Sequence, residues 1–176
     1  MNTGQTMLTI VALMLLTSVI LTTNRGFLTT NTTMSENRID ILGISVANSI
    51  MEDATNLAFD ENTVGAAITT PAVLTPSSSL GLDGTYETRN NPSTFDDFDD
   101  YNCYKTNPKL DTIAVPGSTT KVYFSTYCRV DYVDGNNPDN ISTSQTYHKR
   151  LSLRVFSPGM TDTIKMSTVY SYWYFR

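Results

Sequence analysis

The chain has 176 residues, which suits one domain and an anchor. Its formal net charge of −5, from 12 Lys+Arg against 17 Asp+Glu, argues against nucleic-acid partners, which select basic faces. Only 16 % of residues are charged while Tyr alone occurs 10 times, and this polar, uncharged, aromatic balance suits a surface exposed outside the cell.

The first predicted element is the stretch Met7 to Thr23, MLTIVALMLLTSVILTT, which carries no charge. As a helix it makes a rod of about 25 Å, at the short end for a bilayer's hydrocarbon core. Its Leu, Met and Ala favour helix, and its Thr and Ser hydroxyls can bond back to the helix's own carbonyls. The rod is apolar on every side, so a single layer of a soluble domain cannot cover it. Lipid or copies of the same rod must. Three assignments compete. A secretory signal would bring a basic start and an Ala-x-Ala cleavage site, and MNTGQT and TTNRGF supply neither. A plain membrane anchor is the second. The third is a rod that follows a very short leader and continues into an amphipathic helix.

The stretch Gly4-Gln5-Thr6-Met7-Leu8-Thr9-Ile10-Val11-Ala12 resembles the processing region of type IV pilins and type II secretion pseudopilins. In that family a prepilin peptidase cuts after a Gly, and an apolar run follows, interrupted only by a Glu at its fifth position. On this resemblance residues 1–4 are a leader, Gly4 precedes the cut and Gln5 is the new N-terminus. Thr6 matches the Thr often found second, while Thr9 stands where the family has Glu, and the leader MNTG has no basic residue. The resemblance implies a homo-oligomeric helical filament with its heads outside. Its core would be Met7, Leu8, Ile10, Val11, Leu13, Met14, Leu15, Leu16, Val19, Ile20 and Leu21. It also implies a stay in the inner (cytoplasmic) membrane before assembly, prepilin peptidase and the pilus assembly machinery as partners, and an extracellular filament as the destination. A minor pseudopilin of a secretion system shares the fold. A membrane-anchored binding domain that never polymerises is the other alternative.

Residues 1–25 form this first region, and residues 26–62 the next. From Asn24 to Leu28 the pattern weakens: Gly26 and the β-branched Thr22, Thr23, Thr29, Thr30, Thr32 and Thr33 predict a softened or partly extended section, or a flexible linker. A helix restarts near Ser35. Ile39, Leu42, Val46, Ile50, Ala54 and Leu57 then recur every three or four residues, so this helix must lay one stripe on a downstream sheet. Asp60-Glu61-Asn62 and Gly65 end it.

The head spans residues 63–176. Its first part, 63–118, is rich in Pro, Gly and Ser and is read as a long irregular excursion. Within it, Asp96, Asp97, Asp99 and Asp100 are four carboxylates in five residues, which repel one another unless a cation or backbone donors offset them. They are weak calcium candidates; a solvated acidic turn with its aromatics tucked inward is the preferred reading. Neither paired carboxylates across a cleft, nor a Gly-x-Ser-x-Gly elbow, nor a phosphate-binding glycine loop is present, so no enzyme and no cofactor is expected.

The second part, 119–176, carries three strands. Thr119 to Asp134 puts Val122, Phe124, Thr126, Cys128, Val130 and Tyr132 on one face. Tyr147 to Phe156 puts Leu151, Leu153 and Val155 on one face, with His148, Arg150, Ser152 and Arg154 on the other. Asp162 to Arg176 is the third, and short links make the three an antiparallel meander. Cys103 and Cys128 with one His148 cannot complete a usual zinc pattern. In an exported chain they are expected as a disulfide, worth about 3 kcal/mol for a loop of about 25 residues; two free thiols are the alternative. The expected fold is α+β: a long N-terminal helix, apolar then amphipathic, packed on an antiparallel meander.

Overall fold

The computed structural model describes residues 2–105, 112–114 and 121–172. They fall into two units, Met1–Arg38 and Ile39–Arg176. Helix α1 runs without a break from Thr3 to Asn56. The softened section is therefore absent, and the threonines show why. Thr22, Thr23, Thr29 and Thr30 each donate a hydroxyl hydrogen bond of 2.8–2.9 Å to the carbonyl four residues earlier. Hydroxyls that could compete with the backbone are spent inside the helix, and one Gly costs only about 1 kcal/mol against Ala.

In the second unit the last turns of α1 pack on a sheet. Ile39, Leu42, Val46, Ile50 and Leu57 all touch the core, as their spacing requires, but the deepest line along the helix is Gly43, Ala47 and Ala54. Small residues there let backbone and sheet approach closely: a Cβ on Gly43 would lie 2.9 Å from Ile164 Cδ1 and 3.2 Å from Met160 Cε. Short loop structure follows: α2 at Glu61–Val64, and single 3-10 turns at Pro71–Val73, Pro92–Thr94 and Asp99–Tyr101.

The sheet is a three-stranded antiparallel meander of β3 (Ser125–Tyr132), β4 (His148–Phe156) and β5 (Ile164–Ser171). Cys128 faces Leu153, and Leu153 faces Met166 in turn. The strand expected from Thr119 is in fact two. β2 (Lys121–Tyr123) pairs with β1 (Thr112–Ala114) in a separate small sheet. Pairing changes at Phe124 because β4 ends at Phe156, opposite Ser125, and then turns at Ser157, whose carbonyl accepts the Met160 N–H at 3.0 Å. Inward alternation nevertheless continues through Phe124, Thr126, Cys128, Val130 and Tyr132. Thr119, Thr120 and the end of the third expected strand, 173–176, lie outside the described residues.

The irregular excursion supplies much of the core. Phe95 packs edge-on against Tyr101 and Tyr104, with ring centroids 5.0 and 5.9 Å apart. Such aromatic contacts add about 0.5–1.5 kcal/mol each beyond area burial. The expected disulfide is not formed: Cys103 and Cys128 are free thiols. Their main chains meet instead, Cys103 N–H donating to Cys128 O at 3.1 Å and Cys128 N–H to Tyr104 O at 3.0 Å. Cys128 lies wholly buried in the core, where burial pushes its thiol up to about 12. Cys103 is half-buried, in a left-handed conformation at φ 63°. A disulfide requires a particular meeting of the two Cβ vectors, and sequence spacing carries no information about that.

Filling the gap at Gly43 tests the helix–sheet contact. Gly43→Val is expected to destabilise the second unit by about 1–3 kcal/mol through overpacking, read as a lower urea midpoint. Gly26→Ala, where a Cβ meets nothing, is expected to leave that midpoint unchanged.

Candidate functional site

Two features stand out, one in each unit. The first is the exposed apolar rod. From Asn2 to Asn24 the sequence has no charged side chain, and the helix there has a mean hydropathy of 2.1 over its best window with none of that window buried. Every side chain expected in a filament core is exposed, from Ile10 at 52 % to Leu8 at 72 %. Its threonine hydroxyls are bonded within the helix. Thr6, Thr9 and Thr17 bond the carbonyls of Thr3, Thr6 and Leu13 at 2.8–2.9 Å. Thr9, at the position where the resembled family has Glu, is thus satisfied within its own helix. Gly4 and Gln5 sit in the first turn of α1, with open space around Gly4. About 20 apolar residues span a bilayer core, so by length and composition this helix can cross a membrane.

The second feature is a buried charge cluster. Asp60 caps α2: its side chain accepts the Asn62 N–H while Thr63 Oγ1 accepts the Asp60 N–H, a reciprocal capping box. The same carboxylate accepts the Thr75 N–H at 3.0 Å and the Thr75 hydroxyl at 3.2 Å. Asp99 stands on the turn Asp99–Tyr101. Between them lies Lys149 of β4, fully buried. Its Nζ is 2.8 Å from Asp60 Oδ2, 2.8 Å from Phe59 O, and in direct contact with Asp99 Oδ1. The Phe59 and Tyr132 rings close over the ammonium at 4.7 and 5.3 Å. Tyr132 OH donates to Thr75 O at 2.8 Å.

The carboxyls divide according to what they receive. Burial pulls Asp60 up, but Lys149 and the N–H groups of Thr75 and Asn62 outweigh it and hold it below the usual carboxylate range. Burial lifts Asp99 above that range, against the pull of Lys149. Asp97, given little but the N–H groups of Asp99 and Asp100, is pushed up to about 9 by burial first and by Asp99 next. Asp100, accepting the Asp96 and Asp97 N–H groups, is pushed up to about 7, chiefly by burial.

The four aspartates expected as calcium candidates are therefore split. Asp96 is exposed, Asp97 holds the turn, Asp99 pairs with Lys149, and only Asp100 joins a carboxylate group. That group is Asp83, Glu87 and Asp100, with oxygens within 4.8 Å of one another. Glu87 accepts the Asp83 and Gly84 N–H groups at 2.8 and 2.7 Å, so backbone donors offset much of its charge. The sequence reading passed over Lys149 and Asp60 as site residues. A signal existed for the lysine: a period of two from Leu151, Leu153 and Val155 puts Lys149 on the inward face. Nothing local marks Asp99 as its partner, 50 residues away.

No protein-family model, curated protein or solved structure matches the chain.

Removing the lysine should strand two buried carboxyls. Lys149→Ala is expected to lower unfolding stability by about 3–5 kcal/mol, measured by denaturant titration. The cluster also predicts a pH profile. The folded state holds protons on Asp97 and Asp100 that the unfolded chain releases near pH 4, so stability falls as pH rises above about 4, the loss from Asp100 being complete above about 7 and that from Asp97 above about 9. Asp60 acts oppositely, its stabilisation being lost as pH falls below about 4. Melting temperature should peak near pH 4, and Asp97→Asn should flatten the fall above it; an unchanged fall up to pH 9 in that variant would count against a protonated Asp97.

Proposed function

We propose that this chain is the structural subunit of an extracellular, type IV pilus-like filament that polymerises through its N-terminal rod. The observation carrying this is the fully exposed, uncharged rod Met7–Leu21, on a helix whose later turns belong to a head with its own packed core. At about 25 cal/mol per Å² of apolar surface, leaving that rod in water is strongly unfavourable. A bundle of identical rods covers every face at once. A lipid bilayer covers it equally well before assembly, which gives the subunit a membrane-held reservoir. Hydroxyls already bonded inside the helix let rods approach without stranding a polar group.

In this reading Gly4–Gln5 is the peptidase cleavage site, and the assembly machinery extracts the cleaved subunit from the cytoplasmic membrane. The chain's work is mechanical: it performs no catalysis and needs no cofactor. The rival is a membrane anchor that never polymerises, favoured by the fit of the rod to a bilayer. A minor pseudopilin differs from the main reading only in abundance.

Surface material sheared from producing cells is expected to contain filaments of this chain by electron microscopy. Leu13→Lys and Ala12→Glu each place a charge in a dry core at a cost of about 2.5–3.5 kcal/mol, and should abolish them. A cysteine at Leu16, neutral to insertion, should yield cross-linked dimers on oxidation. Full-length protein found only as a monomer in the membrane, with no cross-linked dimer and no filament, would establish the anchor instead.

A further inference from the structure

The Lys149 cluster has the geometry of a reaction as well as of an ion pair. Its amine is wholly buried, touches the Asp99 carboxyl directly, and is roofed by Phe59 and Tyr132. We propose that Lys149 Nζ and the Asp99 carboxyl condense within the folded head to an intramolecular amide, an isopeptide cross-link between β4 and the acidic turn.

Two carboxyls touch the amine, and their surroundings assign the roles. Asp60 is stabilised as a carboxylate by the N–H groups of Asn62 and Thr75 and by the Thr75 hydroxyl. An anion so held is a poor electrophile and a good proton acceptor. Among the described residues, Asp99 Oδ2, by contrast, accepts only a long hydrogen bond, 3.4 Å, from the Gly81 N–H, and burial lifts this carboxyl toward its protonated, electrophilic form. The step balances without any outside reagent. One proton passes from the ammonium to the Asp99 carboxylate, giving a neutral amine and a neutral acid. The amine lone pair attacks Asp99 Cγ and the C–N bond forms. A second proton leaves the nitrogen through Asp60 Oδ2, 2.8 Å away, and passes to the Asp99 hydroxyl, whose C–O bond breaks to release one water.

Two physical terms favour it. Contact between the amine and the carboxyl replaces a bimolecular encounter, which is worth effective molarities of about 10⁵–10⁸ M in well-oriented cases. A buried ion pair carries a heavy desolvation penalty, and a neutral amide removes that pair. Asp60 keeps its charge afterwards on donors it already has. The product would tie together chain segments 50 residues apart without help from either cysteine.

The test is mass spectrometry of the purified full-length chain, digested with trypsin after denaturation. Trypsin does not cut after an acylated lysine. The expected product is one branched species joining the peptide Asn90–Lys105 to Val130–Arg150, lighter than their sum by one water, with fragment ions placing the junction at Asp99 and Lys149. Asp99→Asn should give the same branched mass by releasing ammonia, and Asp99→Ala should give none. Separate peptides of full sequence mass, with cleavage after Lys149, would overturn the proposal. So would a junction at Asp60, or a water loss confined to the Asp83-Gly84 or Asp134-Gly135 bonds, where a succinimide forms without any lysine.

Discussion

One buried ammonium organises the head. Lys149 has no route to water, so its charge must be answered inside the protein, and three separate parts of the chain converge to do so. The carbonyl of Phe59 and the carboxylate of Asp60 come from the segment after α1, and Asp99 comes from the acidic turn; β4 brings the lysine itself. Each partner is held by further bonds: Asp60 by the α2 cap and Thr75, Asp99 by the turn that Asp97 braces. A displacement of any one leaves a buried charge unanswered. That is why a long loop with little regular structure can take one arrangement.

The aromatic residues complete what the charges begin. Phe59 and Tyr132 belong to a small cluster around Lys149, with Ile68 and Leu74. Phe95, Phe98, Tyr101 and Tyr104 join the larger core under the helix stripe. The acidic run FDDFDDY therefore alternates between two kinds of burial, rings into the core and three of its four carboxyls onto backbone donors or the lysine, with Asp96 left exposed. Its negative charge is reduced by protonation where burial and a neighbouring carboxylate outweigh Lys149, as at Asp97. This differs from a solvated turn, in which all four carboxylates would stay ionised.

The rod poses the opposite problem, apolar surface in place of charge. Its apolar side chains are exposed, and its threonine hydroxyls are satisfied by their own helix. Such a surface calls for an apolar cover, and by length and composition a bilayer can supply one. Membrane residence and the proposed filament packing are two answers to one physical requirement, and under that proposal a subunit moving from the first to the second never exposes the rod to water.

Local sequence determined the elements whose signal is periodic. The apolar rod, the helix stripe, the inward faces of β3 and β4 and the antiparallel meander follow from periods of 3.6 and 2, because side-chain direction repeats with the backbone. The tertiary structure decided what depends on distant partners. It kept α1 unbroken through Gly26, where weak propensity is outweighed by the helix's own hydrogen bonds. It split one expected strand at Phe124, because β4 ends opposite Ser125. It left Cys103 and Cys128 as thiols, since bond formation depends on Cβ geometry and not on spacing. It also distributed the four aspartates among a turn, a lysine and solvent. The inward phase of Lys149 was legible along β4, but Asp60 and Asp99 lie 89 and 50 residues from it. A charge's partner across such separations is chosen by packing, and no local pattern encodes it.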